Sequence, residues 1–164
     1  MAYADYEFYT SSFYGGTVPK SDFLQLSERA SDWLDTATFD RLVDSLPSSE
    51  RSQKKIKKAV CSLTEVFYQF EQAKKQAAAA ASGSSSVQVG TGISTGIVTS
   101  VSSGSESISY ATPQQAGASA KEWSVVYAAA GDPKQENKLL LDTVRLYLMG
   151  VTTDDGIPLL YAGV

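Results

Sequence analysis

Asn137 to Val164 reads NKLLLDTVRLYLMGVTTDDGIPLLYAGV, a helical pattern that gives way to an apolar end. Leu140, Leu141, Val144, Tyr147 and Leu148 fall at i, i+1, i+4, i+7 and i+8, the apolar stripe of an amphipathic helix turning about 100° per residue. Leu139 and Leu146, seven apart, project from roughly the opposite side. A helix apolar on two faces either sits centrally or meets another chain. Asp132-Pro133-Lys134-Gln135 supplies an N-cap, a proline for the first helical position and a glutamine placed for a capping box, and Gly150 can close the helix. The end that follows, Gly156 to Val164, carries no charged side chain. Such an end is normally polar and frayed, so this one is expected to be docked on something.

Working back along the chain, Phe23, Leu26, Ala30, Trp33 and Ala37 repeat at helical spacing and predict a helix from Lys20 to Ala37 with those residues inward. A short helix from Phe39 to Leu46 is expected to turn Phe39, Leu42, Val43 and Leu46 inward and to stop at Pro47. Ser48-Ser49-Glu50-Arg51 then opens the longest helix, to about Ala81. Ile56, Val60, Leu63, Phe67 and Phe70 keep a seven-residue repeat, the seam of helices packed nearly antiparallel. Cys61 and Tyr68 lie off that seam, beside Lys54, Lys57, Lys58 and Glu65. Cys61 therefore reads as either a subunit contact or a half-buried thiol with no task. The alanines at 77–81 favour helix and bury little.

Upstream, Tyr3, Tyr6, Phe8, Tyr9, Phe13 and Tyr14 make a stretch dense in aromatics, which serves as a strap on the chain's own core or as an interface anchor. Downstream, residues 82–112 read as a Ser/Gly linker and an inserted β-hairpin, with strands Ile97–Val101 and Glu106–Tyr110 around a Ser102–Ser105 turn. Gly90-Thr91-Gly92 with Gly96 lacks the strand, helix and acidic residue of a dinucleotide loop. Residues 113–120 are loop, and Trp123, Val126, Tyr127 and Ala130 suggest a short helix ending at Gly131-Asp132-Pro133.

The chain of 164 residues fits one domain, 1–164, with a core of its own. Its net charge of −4 is unevenly spread: residues 1–50 hold 9 acids and 3 bases, residues 51–76 hold 2 acids and 7 bases. That split favours head-to-tail contact between copies and weighs against general nucleic-acid binding, although each face is equally well read as merely solvated. A single cysteine excludes an internal disulfide and suits a reducing compartment. The opening residues have neither the basic nor the apolar region of a signal peptide, and no run is long enough to span a bilayer. A cytoplasmic origin without membrane association is expected.

Catalytic chemistry has little to stand on. The chain has no histidine, the commonest general base and metal ligand, and Cys61 has no imidazole to activate it. Asp154-Asp155 lies in a Thr/Asp/Gly stretch typical of a turn rather than a dyad. Lys54, Lys55, Lys57 and Lys58 could meet phosphates, but without interleaved aromatics they suit a solvated or partner-facing patch better. No enzyme activity and no cofactor are expected.

Several segments, in their order and spacing, resemble the head-tail connector (adaptor) proteins of tailed phages and prophages. They are Tyr3-Ala4-Asp5-Tyr6-Glu7-Phe8-Tyr9, Tyr14-Gly15-Gly16, Pro19-Lys20-Ser21-Asp22-Phe23, Arg29-Ala30-Ser31-Asp32-Trp33-Leu34-Asp35, Thr38-Phe39-Asp40-Arg41 and the Gly156 to Val164 ending. The resemblance implies a mainly α fold, a three- to four-helix bundle with an inserted β-hairpin and an apolar C-terminal tail. It also implies a non-enzymatic virion subunit, assembled in the bacterial host cytoplasm. Such subunits form a homo-oligomeric ring, in twelve copies, on the portal protein at the head-tail neck. The ring offers a docking surface to a stopper or tail-terminator protein, and DNA passes through its lumen without sequence-specific binding. On this reading Leu139, Leu146, Leu159, Leu160, Tyr161 and Val164 meet the portal or a neighbouring subunit, and Ile97, Val98, Val101, Ile108 and Tyr110 face the lumen or tail. A helical adaptor of cellular origin and a DNA-end-binding protein are the alternatives.

Overall fold

The computed structural model describes residues 2–81, 99–103, 106–110 and 125–160. Among them the chain is mainly helical: α1 (Tyr6–Ser11), α2 (Lys20–Ala37), α3 (Arg41–Asp44), α4 (Glu50–Ala81), α5 (Val125–Ala129) and α6 (Pro133–Leu148). Two short strands, β1 (Thr99–Ser103) and β2 (Glu106–Tyr110), pair antiparallel with Val101 opposite Ile108 and Thr99 opposite Tyr110. The chain divides into two compact units, Met1–Gln69 with Lys134–Val164, and Phe70–Pro133.

In the first unit α4 is the enclosed element. The seam residues Ile56, Val60, Leu63 and Phe67 are all buried, and Ala59, Thr64 and Cys61 are buried with them. At 100° per residue these span more than half of the helix circumference. A helix covered so widely is the centre of its unit, a place the sequence had left open to α6. Helix α6 instead buries one stripe, Leu140, Val144 and Leu148, and leaves Leu146 and Met149 in solvent. Gly150, with φ +75°, turns the chain out of α6 as a left-handed C-terminal cap.

The face of α4 that the seven-residue repeat left open is covered by the N-terminal aromatics. Asp5 caps α1, its carboxylate accepting from the Phe8 N–H at 2.7 Å. Tyr9 is fully buried, its ring 4.9 Å from that of Phe23 and stacked on Phe13 at 5.9 Å. Its hydroxyl donates to Glu65 Oε1 on α4 at 2.8 Å and accepts the Thr17 and Val18 N–H groups at 3.0 and 3.1 Å. Lys57 holds its ammonium 5.5 Å from the Phe8 ring. The stretch is thus a strap on the chain's own core, and Cys61 lies beneath it, buried. Cys61 is thus neither a subunit contact nor a half-buried thiol, because its cover comes from residues more than 50 positions away in sequence.

Helix α2 has the expected bounds but a rotated face. Phe23, Leu26 and Ala30 are buried as expected; Trp33 and Ala37 are only half-buried, and Ser27, Ser31, Leu34 and Thr38 take the inner positions. Each buried hydroxyl has a partner. Ser27 donates to the Ala4 carbonyl at 3.0 Å, Ser31 accepts from the Tyr3 N–H at 3.1 Å, and Thr38 donates to the Leu34 carbonyl at 3.0 Å. A satisfied hydroxyl costs little to bury, so serines can lie under the strap. Arg29 places its guanidinium 4.9 Å from the Phe67 ring and ties α2 to α4.

The short helix after α2 differs more. It spans only Arg41–Asp44, and of the four apolar residues expected inward only Leu42 is buried, while Phe39, Val43 and Leu46 are exposed. The cause lies in the backbone: Phe39 and Asp40 take φ values of +56° and +58°, which break the helical run and turn the Phe39 side chain outward.

In the second unit α4 contributes Phe70, buried, and the exposed stretch from Lys74 to Ala78. In α5, Ala129 is buried, Val126 and Tyr127 are half-buried, and Val125 is exposed. The Gln76 amide lies 3.4 Å from the Tyr127 hydroxyl.

Tyr9 needs Gly15 beside it: a Cβ on Gly15 would stand 2.0 Å from the Tyr9 ring. Gly15→Ala is expected to displace the ring and to destabilise the fold by about 1–3 kcal/mol, the usual range for overpacking. The shift of the urea midpoint measures it. An unchanged midpoint would mean that the strap tolerates movement of Tyr9.

Candidate interaction surfaces

The Val151–Leu160 segment following α6 is docked on its own chain as far as it is described. Its backbone folds back on itself, with Thr152 bridged to Pro158, Thr153 N–H donating to the Ile157 carbonyl at 2.8 Å and Leu159 N–H to the Val151 carbonyl at 2.9 Å. Gly156, with φ +80°, makes the turn possible. Val151 and Leu159 are buried. Two clamps hold the segment to the corner between α2 and α4. Arg41 donates from Nη1 to the carbonyls of Pro158 at 2.5 Å and Leu159 at 3.3 Å. Asp154 accepts from both the N–H and the hydroxyl of Ser48, each at 2.9 Å. The Asp154 carboxylate therefore anchors the start of α4 and the 153–156 turn together.

Of the residues expected to meet a portal or a neighbour, Leu146 is 83% exposed. Leu139 and Leu160 are half-buried, and Leu159 is wholly buried in its own chain, because Arg41 and the Val151 pairing pull that strand inward. Tyr161 and Val164 lie outside the described residues. Of the lumen or tail set, Val101, Ile108 and Tyr110 lie on the paired strands, and Ile97 and Val98 lie outside the described residues. The structure adds Met149, 73% exposed and three positions beyond Leu146, a spacing that could have been found in the sequence. It also adds Phe39, Val43, Leu46 and Ile157 around the clamped corner. No sequence signal marks Phe39 itself, although the Asp40 that follows it is of a type that tolerates a positive φ.

The titratable groups with shifted affinities serve the strap. Burial above all, with the hydrogen bond to Asp35, raises the Tyr3 hydroxyl well above its ordinary value. Asp35 is itself raised by burial and by Asp32 and Asp40, against the lowering effect of the Tyr3 hydroxyl that donates to it at 2.5 Å. Burial, with the carboxylates of Glu65 and Asp5, pushes the Cys61 thiol up to about 12. The thiolate is the nucleophile, so this cysteine is inert in the folded protein. Among the described residues, no three of His, Cys, Asp and Glu are grouped so as to hold a metal ion, and no helix is long and apolar enough to cross a membrane.

Two outcomes follow from these shifts. A carboxyl raised in the folded state holds its proton more tightly there than in the unfolded chain. Its favourable contribution is complete below the ordinary carboxylate range and is lost as pH rises through the folded value. Asp35→Asn is therefore expected to gain stability relative to the native chain at neutral pH and to lose that advantage in acid, as read by urea unfolding at both; equal effects at the two would refute it. Cys61 is expected to resist a thiol reagent at neutral pH and to react fully once urea unfolds the chain, whereas rapid native labelling would show the strap opening. Compared with family models, curated proteins and solved structures, the chain matches none.

Proposed function

We propose that this chain is a structural subunit of the head-tail connector kind, with no catalytic task, that assembles as a ring on a portal at the neck of a virion. The observation that carries the reading is on α6. One stripe of that helix is fully buried, yet Leu146 and Met149 stand in solvent on another side, so the helix has apolar surface that its own unit does not cover. Large apolar side chains grouped in water favour a surface that a partner covers. The ordered set of segments from Tyr3 to Arg41, and the mainly helical fold they belong to, support the same assignment.

In this arrangement the helices form a three- to four-helix bundle, with the paired strands inserted as a hairpin between α4 and the last two helices. Leu146, with Leu139 and Leu160, meets a neighbouring subunit or the portal, and the 156–160 segment supports that contact from within the subunit. The hairpin, with Val101, Ile108 and Tyr110, faces the lumen or the stopper and tail side, where DNA passes without being read. Subunits of this kind fold in the host cytoplasm and end in the virion.

The test is to mix the purified chain with the portal encoded beside it and to image the product by negative-stain electron microscopy. A ring of added density on the outer end of the portal is expected for the native chain. It should be lost, with circular dichroism unchanged, for the Leu146→Ser, Met149→Ser double variant. Bare portals beside folded native protein would reject the connector reading. A cellular adaptor would then show as a stable monomer or dimer, and a DNA-end binder as affinity for duplex ends that falls steeply with salt.

A further inference from the structure

The first unit carries two exposed apolar surfaces, and they are opposite in charge. The first is the corner after α2. Phe39 is 63% exposed, Val43 62%, Leu46 45% and Ile157 48%. These four are carried by two segments clamped to each other, through Arg41 to Pro158 and Leu159 and through Ser48 to Asp154. Arg41 also lies 5.4 Å from the Phe39 ring, so one side chain spans from Phe39 to the segment that bears Ile157. The exposed carboxylates of Asp40, Asp44 and Asp155 belong to the same segments. The left-handed backbone at Phe39 and Asp40 is unfavourable for both residues, and its effect is to hold a phenyl ring in water.

The second surface is the outer side of α6. Lys138, Arg145 and Met149 recur there at i, i+7 and i+11, with Leu146 next to Arg145. Lys138, Leu146 and Met149 are exposed, and the cationic groups outnumber the one carboxylate of this side, Asp142, which accepts from Arg145 at 3.2 Å. An acidic apolar surface and a basic apolar surface on one chain are complementary across two copies.

We infer that the corner at Phe39, Val43, Leu46 and Ile157 of one copy docks on the outer side of α6, at Lys138, Arg145, Leu146 and Met149, of a second copy. The inference rests on the self-association in the proposed function and names its contact. The two surfaces differ, so the contact is heterologous and leaves one free surface of each kind at the ends of every open assembly. The basic start of α4, Arg51 with Lys54 and Lys55, matches the corner in charge but shows no exposed large apolar side chain among the described residues.

Sedimentation velocity on the full chain tests the contact. The native chain is expected to gain mass with concentration, and to gain less as salt is raised. Phe39→Ser with Val43→Ser should weaken association roughly tenfold or more, and so should Leu146→Ser with Met149→Ser. Neither variant alone should form dimers, but an equimolar mixture should stop at a dimer, because each retains the surface that the other lacks. Asp44→Lys should repeat the corner defect without removing apolar surface, and Lys138→Asp in the partner should restore binding. A native chain that stays monomeric, a mixture that yields no dimer, or loss of association in Lys54→Glu with Lys55→Glu while the α6 variant assembles normally would each overturn the contact. Bare portals with a chain that self-associates as described would reject the connector reading alone. Portal rings that survive Phe39→Ser with Val43→Ser but are lost in Leu146→Ser with Met149→Ser would reject this contact alone.

Discussion

The Tyr9 hydroxyl is the point on which the first unit turns. A phenol placed wholly inside a protein must be satisfied there, and this one gives its proton to Glu65 and takes two backbone N–H groups from Thr17 and Val18. Those three bonds reach two parts of the chain. They tie α1 to the middle of α4 and to the loop that enters α2, while the ring itself packs on Phe23 of α2. Removal of the ring would open a cavity and, in addition, leave the buried Val18 N–H without its partner. Both penalties fall on one residue, which makes the strap a structural member rather than a loose leader.

With the strap in place, the unequal roles of the helices follow. Helix α4 is covered from two sides and can bury a threonine and a cysteine along with its seam. Core burial at about 1.5–3 kcal/mol for each large apolar side chain is then concentrated on α4 and α2. Helix α6 needs to supply only one stripe, so its remaining surface is free of any folding duty. The 151–160 segment is held mainly by hydrogen bonds to backbone groups, from Arg41 and to Ser48, with Val151 and Leu159 as apolar pegs. A segment fixed in this way keeps its place without a helix or sheet of its own.

How much of this was legible follows from where each signal lay. The bounds of α2, α4 and α6 could be read because local residues set them: Pro19, Ser48-Ser49, Pro133 and Gly150 act within one turn. The α4 seam could be read because five large residues keep one period. Which residues a distant partner covers could not be read, even where a strap and a docked end were expected. The seam gave no hint that a strap covers Cys61, and periodicity assigned Trp33 a place that Leu34 holds, because Ser27 and Ser31 go inward to meet Tyr3 and Ala4. The candidate contacts divided along the same line. Leu139 and Leu146 were read as facing away from the stripe, and Leu146 is exposed and Leu139 half-buried, while Leu159, read as a contact, is buried because the Arg41 bond to its carbonyl joins residues 118 positions apart.

Phe39 shows what an exposed apolar group costs the free chain. A helix passing straight through residues 39–46 would have buried Phe39, Val43 and Leu46 on one face, at no backbone cost. The chain instead takes two consecutive left-handed residues without glycine, held by Asp40 N–H donating to the Asp35 carbonyl at 2.8 Å. In the monomer this arrangement is unfavourable twice, once in the backbone and once in the hydration of the ring. Those costs are offset where another surface covers the ring, since the apolar area then leaves water while the backbone is already in its final shape. Preorganisation of this kind would trade stability of the free chain for affinity in the self-association inferred above.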